Sequence, residues 1–337
     1  MDFFGLDIGS HTIKIVQLKK DKNKYQLLAF GSCPSPKKGL LSEAETDLAS
    51  LAEITKRLYQ DSGVKTRNVV TALPQDQVFT KLITIPPLSD KEIESAIEWE
   101  AERYVPLPLS EVILSYEILR KVKEDNQEKM EILLAASPRA LIEKMINVLK
   151  MAGLNPVSIE MEIMAVIRSL TPVGGGSFLI ADFGAKATDL AVVEGDVLSL
   201  IHSIPSGGES LTRAISLELG LDPEQAEAYK ESYGADPEKL EGKIGAAIKP
   251  VLNNIIEEIK KTIQFYQQKG KNIQRVILTG GGAVLPQLNT LLAKSVNLEV
   301  QIGDPFGELI EGPLLAKIPF NQRSVYSIAV GLAMKEI

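Results

Sequence analysis

Apolar residues recur with two different periods along this chain, and the periods sort it into strands and helices. Residues 6–18 read LDIGSHTIKIVQL and residues 181–193 read ADFGAKATDLAVV. Each copy is an apolar run, then Asp-x-Gly followed by Ser or Ala, then a second β-rich run, which predicts strand–turn–strand. Aligned without gaps, Asp7 meets Asp182, Gly9 meets Gly184 and Ser10 meets Ala185, at a constant offset of 182 − 7 = 175. That offset is about half of the 337 residues, so the pattern predicts two domains of common design facing each other.

The first copy continues into a strand over 25–30, an amphipathic helix carrying Leu48, Leu51, Ile54 and Leu58, and a buried strand over 68–73 stopped by Pro74. The second continues into a strand over 197–201, completing a meander, with a later buried strand over 275–279. Residues 76–152 predict a small α+β insert: a strand over 79–85, a helix over 90–104, a hairpin with arms 112–119 and 130–136, and a helix over 138–152. The hairpin tip, 121–129, is nearly all charged or amide, which predicts mobility. Residues 205–270 are mainly helical, with Ile244, Ile248, Leu252, Ile255, Ile259, Ile263 and Tyr266 on one face and Pro250 marking a kink or a first turn. Trp99 and Tyr104 keep company with Ile93, Ile97, Ala101 and Val105, which predicts a core-facing stripe. The resulting division is a first core (1–75 and 153–171), the insert (76–152), a second core (172–204 and 271–337) and a helical subdomain (205–270).

Composition narrows the class. Hydrophobic residues make up 45% and charged residues 24%, enough for a sizeable core. The net charge of −7 argues against a general nucleic-acid binder, because an acidic surface repels phosphate backbones. Cys33 is the only cysteine, so no internal disulfide or cysteine metal site forms, which fits a reducing compartment. The first residues lack the bases of a signal peptide, and no run approaches the roughly 20 apolar residues that span a bilayer. A cytoplasmic protein with no direct membrane insertion is expected.

The paired turns carry the candidate chemistry. Glycine after a strand-end aspartate lets main-chain N–H groups point at a phosphate. The aspartate itself suits Mg²⁺, which takes one or two protein carboxylates plus phosphate oxygens. Asp7 and Asp182, from opposite domains, would meet around one metal, and Lys14 would supply positive charge to a β- or γ-phosphate. Thr279-Gly280-Gly281-Gly282-Ala283 follows a buried strand and precedes a helix, which would bring a helix N-terminus toward a ligand. Gly207-Gly208-Glu209 opens the helical region, and Glu227 and Lys230 further on are spaced for a surface ion pair. His11 reads as filling its turn and His202 as a structural residue.

Taken in order, these elements resemble the actin, sugar-kinase and heat-shock chaperone ATPase superfamily. Residues 7–14 look like its first phosphate motif, 182–189 its second and 279–286 its adenosine motif. Glu162-Ile163-Met164-Ala165 and residues 324–331 look like its two inter-domain segments, with isoleucine where proline is usual in the first. Within that superfamily, residues 93–106, 116–120, 135–150, 156–170 and 226–234 resemble the PilM family of type IV pilus assembly, relatives of the division protein FtsA. FtsA ends in a membrane-binding amphipathic helix, and no such segment follows residue 331 here, which favours the pilus family.

The resemblance implies an α/β, two-domain actin-like (ribonuclease H-like, duplicated) fold with an FtsA-like α+β insert in the first domain. It implies an ATP-binding protein that takes a PilN-like N-terminal cytoplasmic peptide in a groove between the first core and its insert, linking the pilus assembly machinery to the inner membrane through partners. Asp7, Gly9, Ser10 and Lys14 would face phosphate or metal from one side, and Asp182, Gly184 and Ala185 from the other. Lys186 occupies a turn position often filled by glycine in relatives. Gly208, Glu209, Glu227 and Lys230 would approach ribose and adenine, with Gly281, Gly282 and Ala283 beneath. Hydrolysis needs a group that positions water, and Glu162 is the best candidate, supported by Asp182 and Thr188. Slow turnover is expected, with ATP setting the inter-domain angle. No residue in 60–160 offers the catalytic aspartate of a metabolic kinase, so a scaffold is preferred over a kinase or a filament-forming division protein.

Overall fold

Residues 1–337, except 23, 125–126 and 172–174, are described by a computed structural model. The first sequence copy forms β1 (Phe4–Ile8), β2 (Thr12–Asp21) and β3 (Lys24–Pro34), followed by α1 (Glu45–Ser62) and β4 (Asn68–Leu73). Next come β5 (Phe79–Ile85), α2 (Asp90–Tyr104), β6 (Val112–Glu124), β7 (Gln127–Pro138), α3 (Arg139–Met151), β8 (Asn155–Met161) and α4 (Glu162–Leu170). The second copy forms β9 (Ser177–Phe183), β10 (Thr188–Glu194) and β11 (Val197–Ile204), then α5 (Gly208–Leu219), α6 (Pro223–Tyr233) and α7 (Lys243–Gln268). The chain closes with β12 (Arg275–Thr279), α8 (Leu288–Val296), β13 (Glu299–Ile302), β14 (Leu309–Ile310) and α9 (Ser327–Ala333).

Two sheets repeat one design. The first runs β14-β3-β2-β1-β4-β8 and the second β11-β10-β9-β12-β13, so each has an antiparallel meander joined to parallel strands. The central strand β1 is buried along its whole length, and β9 from Phe178 to Phe183. Strand β8 went unread in the sequence because it carries Pro156. It lies at the sheet edge, beside a register shift at Val69/Val70, where a missing N–H is tolerated.

A third sheet, β5-β7-β6, lies in sequence between β4 and β8, which are neighbours in the first sheet. Ile93, Ile97 and Ala101 of α2 pack on one face of it, with Ile83, Ile85, Ile132 and Leu134. Leu82, Leu119 and Leu133 from its other side join α4 and the second sheet. The hairpin arms extend beyond their expected ends and pair out to Glu124↔Gln127, with Lys123 opposite Glu128. Of the tip expected to be mobile, residues 125–126 lie outside those described. Helix α3 packs with α1 and the first sheet, so packing groups it with that core although the sequence pattern grouped it with the insert. Trp99 corrects another expectation. It is 60% exposed, on the face of α2 opposite the buried stripe, with Arg103 stacked 5.0 Å from its ring. Pro250 lies inside α7 and does not open it.

Helices α4 and α9 cross between the sheets. Ile163, Val166, Ile167 and Leu170 of α4 pack on the second sheet, while Ala165 joins Leu332 of α9 and Val70 of β4. Their backbones nearly touch: a Cβ added to Gly331 would sit 1.8 Å from the Ala165 carbonyl oxygen, and one added to Gly5 would sit 2.2 Å from that of Ala329. Arg168 reinforces the crossing by donating to the Gly331 carbonyl at 2.7 Å while gripping Glu160 at 2.8 and 2.9 Å.

The obstacle at Gly331 is backbone, so no rotamer relieves it. Gly331→Val should destabilise the fold by about 3 kcal/mol or more. Gly312→Ala, where a methyl meets nothing within 4 Å, should stay within about 0.5 kcal/mol. Urea denaturation midpoints compare the two.

Candidate functional site

The two meanders point their first turns at each other across a cleft of about 620 Å³. Its walls include Asp7, Gly9, Ser10 and Lys14 from the first turn, and Asp182, Gly184, Ala185 and Lys186 from the second. Gly208, Glu209, Glu227 and Lys230 line it from α5 and α6, Gly281 and Gly282 from the loop after β12, and Glu162 from the start of α4. Thr188 and Ala283 stand behind these walls. The Thr188 hydroxyl is fully buried and donates to the Ser206 carbonyl at 2.8 Å, and Ala283 belongs to the core of the second lobe. Neither touches the cleft, so Thr188 has no route to a water there.

Each turn is shaped by its neighbours. Asp7 and Lys14 lie directly opposite in the β1–β2 register, which sets the Lys14 ammonium 3.0 Å from Asp7 Oδ2. Lys14 is therefore paired with Asp7 while it lines the cleft. In the second copy Asp189 faces Asp182 in the same register. After β12 the chain makes one short 3-10 turn at Gly281–Val284, so the expected helix N-terminus is not there; α8 starts later, at Leu288. Gly280 holds φ +81°, and a Cβ on it would lie 2.3 Å from Asp182 Oδ1, so only glycine lets this loop close over the aspartate.

The far wall holds a compact polar knot. Lys230 Nζ donates to Glu227 Oε1 and Oε2, both at 2.7 Å, to Thr212 Oγ1 at 2.9 Å and to the Gly208 carbonyl at 3.3 Å. Burial pushes the Glu227 carboxyl up, but hydrogen bonds from Lys230 and Thr212 outweigh it and hold the group below its usual range. The pair expected at the surface is a partly buried cleft wall, with Lys230 only 11% exposed. His202 meets Glu258 at 3.4 Å and takes no part in the cleft.

Negative charge is in excess at the bottom of the cleft. Burial, then Asp189 and Asp7, push Asp182 up to about 7 against the opposing pull of Lys14. Burial raises Asp189 to about 6, with Asp76 adding to it and a Ser203 hydrogen bond opposing. Glu162 is raised well above its ordinary value, first by burial and then by Asp7, Asp189 and Asp182, while the Gln75 N–H donates to its Oε2 at 3.1 Å. Asp7 Oδ1 and Asp189 Oδ1 are buried with no hydrogen-bond partner. These orphaned acceptors fit a cation. Among the described residues no group of three or more His, Cys, Asp or Glu converges as a ligand cage.

Sequence reasoning missed Asp189, Gln75 and Asp76, all of which line the cleft. A signal existed for each. Asp189 stands at 14 + 175, the position of Lys14 in the first copy. Gln75 and Asp76 follow the carboxyl end of β4, where ligands gather in parallel sheets.

A protein-family model described as type IV pilus assembly protein PilM matches residues 5–337. A solved PilM-PilN type IV pilus biogenesis complex superposes with a TM-score of 0.87 at 30% identity, covering 99% of this chain and 98% of that one. Cell division protein FtsA of Streptococcus pneumoniae is 20% identical over 362 residues, covering 94% of this chain and 78% of the relative. MreB 5 of Spiroplasma citri, solved with AMPPNP, shares the fold at a TM-score of 0.51 and 13% identity, covering 98% and 95% of the two chains. Among the described residues no helix is long and apolar enough to cross a membrane.

Because Asp182 and Asp189 titrate higher in the fold than their ordinary 3.8, the native state binds more protons than the unfolded chain between about pH 4 and 7. Stability of the ligand-free protein should therefore fall as pH rises through that window. Thermal melts should give a higher midpoint at pH 5.5 than at pH 7.5, and Asp182→Asn should flatten the slope.

Proposed function

Because the chain belongs to the family of type IV pilus assembly protein PilM, we propose that it is a nucleotide-dependent scaffold of that machinery, binding ATP with Mg²⁺ in the cleft. The observation that carries this reading is the excess of buried carboxylates, two with orphaned oxygens, facing paired glycine turns from opposite lobes. Such a site is short of positive charge and rich in main-chain donors, which a metal–triphosphate supplies and uses.

In this reading Asp7 and Asp182 hold the ion, directly or through its waters, and Lys14 keeps Asp7 in place. When bound, Mg²⁺ neutralises phosphate oxygens. Main-chain groups of Gly9, Ser10, Gly184, Ala185 and Lys186 face the phosphates. The knot of Gly208, Glu209, Glu227 and Lys230 meets ribose and adenine, with Gly281 and Gly282 beneath. Glu162, the first residue of α4, orients a water at the terminal phosphate, and turnover is slow. MreB 5 of Spiroplasma citri, which shares the fold, was solved bound to AMPPNP, and that supports a nucleotide as the ligand class.

The likeness to PilM in a PilM–PilN complex supports a PilN-like N-terminal cytoplasmic peptide as the partner. We place it in the groove between the first core and the insert, where it would link inner-membrane platform to cytoplasmic machinery. The subdomain of β5, α2, β6 and β7 then serves for protein contact.

Calorimetry with ATP–Mg²⁺ should show binding, weakened about tenfold or more by Asp7→Ala and by Asp182→Ala, each with an unchanged fold by circular dichroism. Unchanged affinity in both variants removes the metal model. A PilN-type N-terminal peptide should bind in the same instrument, and failure to bind would sink the scaffold reading. In single-turnover assays Glu162→Gln should slow phosphate release by about tenfold or more; an unaltered rate takes Glu162 out of the water-positioning role.

A further inference from the structure

One residue at the cleft joins it to the insert by the shortest covalent route. Gln75–Gln77 form a 3-10 turn between Leu73, the last residue of β4, and Phe79, the first of β5. The Gln75 N–H is the donor to Glu162 Oε2. Its side chain is 4% exposed and lines the cleft, yet Oε1 is buried without a hydrogen-bond partner. The turn is on the phosphate side of the cleft, since Pro74 and Asp76 share a small adjoining recess with Gly9, Ser10 and Lys186.

An amide oxygen only accepts, so its missing partner is a hydrogen-bond donor or a cation. A phosphate oxygen cannot serve; a water held at the terminal phosphate can. Such a water would donate one hydrogen to Gln75 Oε1 and the other to the Glu162 carboxylate, leaving a lone pair toward phosphorus. We infer that Gln75 is a positioning residue that reads the terminal phosphate of a bound nucleoside triphosphate, through one water shared with Glu162, and passes its presence to the insert along β5. The inference rests on the nucleotide-binding reading above.

The route beyond Gln75 has little slack. Phe79 is only four positions on, and β5 pairs residue by residue with β7 from Phe79↔Ala136 to Ile85↔Met130. The same sheet is braced from its other side. Leu133 packs against α4, the helix that Glu162 opens, and Arg120 of β6 bonds both Glu131 and Glu194 of β10. A water that pulls Gln75 and Glu162 together therefore acts on both supports of the insert at once, as coupling through a contiguous packed network requires.

Hydrogen–deuterium exchange on the full chain with AMPPNP–Mg²⁺ and with ADP–Mg²⁺ tests this, after calorimetry has established that both bind. Residues 79–85 should exchange at least about fivefold more slowly with AMPPNP than with ADP. Gln75→Met, which keeps the length and removes the amide, should bring that ratio to about one while ADP affinity stays within about twofold. Gln75→Asn, which withdraws the amide by one methylene, should do the same and serves if the methionine variant folds poorly. A ratio that survives in the variants overturns the inference, as does a wild-type ratio of one with both nucleotides bound. Wild-type protein that binds neither nucleotide would remove the nucleotide reading itself, and the inference with it.

Discussion

The close crossing of α4 and α9 governs how the two lobes meet. Ala165 and Gly331 bring two helix backbones closer than any side chain would allow, and Gly5 does the same between α9 and the central strand β1. Small residues here act through what they exclude. With no side chain at Gly331, the first turns of two separate sheets come to face one cleft instead of being wedged apart. The Arg168 contact to the Gly331 carbonyl adds a directional bond to what is otherwise a shape constraint. Everything at the site inherits its geometry from this crossing, because Glu162 opens α4 and the loop after β12 hydrogen-bonds to Ser324, three residues before α9.

The cleft that results is electrostatically unfinished. Four carboxylates, from Asp7, Asp182, Asp189 and Glu162, face one engaged lysine. Burial is the largest cause of the upward push on Asp182, Asp189 and Glu162, and repulsion from neighbouring carboxylates adds to it. Such a cluster stabilises nothing by itself. It is retained at a cost in stability, which is what sites of function do when the missing partner arrives from outside. Glu194 makes the contrast. Also partly buried, it gathers Arg120, Tyr266 and Lys271 and is held down to about 2, so it belongs to a closed structural network.

Much of this was legible in the residue pattern because the fold is a duplication. Asp7 and Asp182, Gly9 and Gly184 align in sequence because they occupy equivalent places in equivalent meanders. The buried strands β1, β4, β9 and β12 announced themselves as unbroken apolar runs. What stayed hidden depended on neighbours in space. Strand β8 hides behind Pro156, which only an edge position tolerates. Trp99 looked like part of a stripe because apolar residues surround it in sequence, yet the sheet beneath α2 accommodates only one helical face. Thr188 looked available beside the second turn, but the Ser206 carbonyl claims its hydroxyl. The pairing of Lys14 with Asp7 stayed hidden because strand register is a fact that one sequence cannot state.

Gln75 shows the same limit from the other direction. By residue type Pro74-Gln75-Asp76 reads as an ordinary turn, and only its place at the carboxyl end of β4 hints at a site. Its interest comes from three spatial facts together: a main-chain bond to Glu162, a buried amide oxygen without a partner, and the start of β5 four residues away. Removing any one leaves a bland explanation. Without the orphaned oxygen the turn is structural, and without the bond to Glu162 it is only adjacent to the cleft. Without β5 close behind, a change at the turn would dissipate in a loop. A cleft and an inserted subdomain can sit on one chain without communicating. Here the polypeptide leaves the cleft and enters the insert within a single turn, so any ligand that moves that turn moves the insert's first strand.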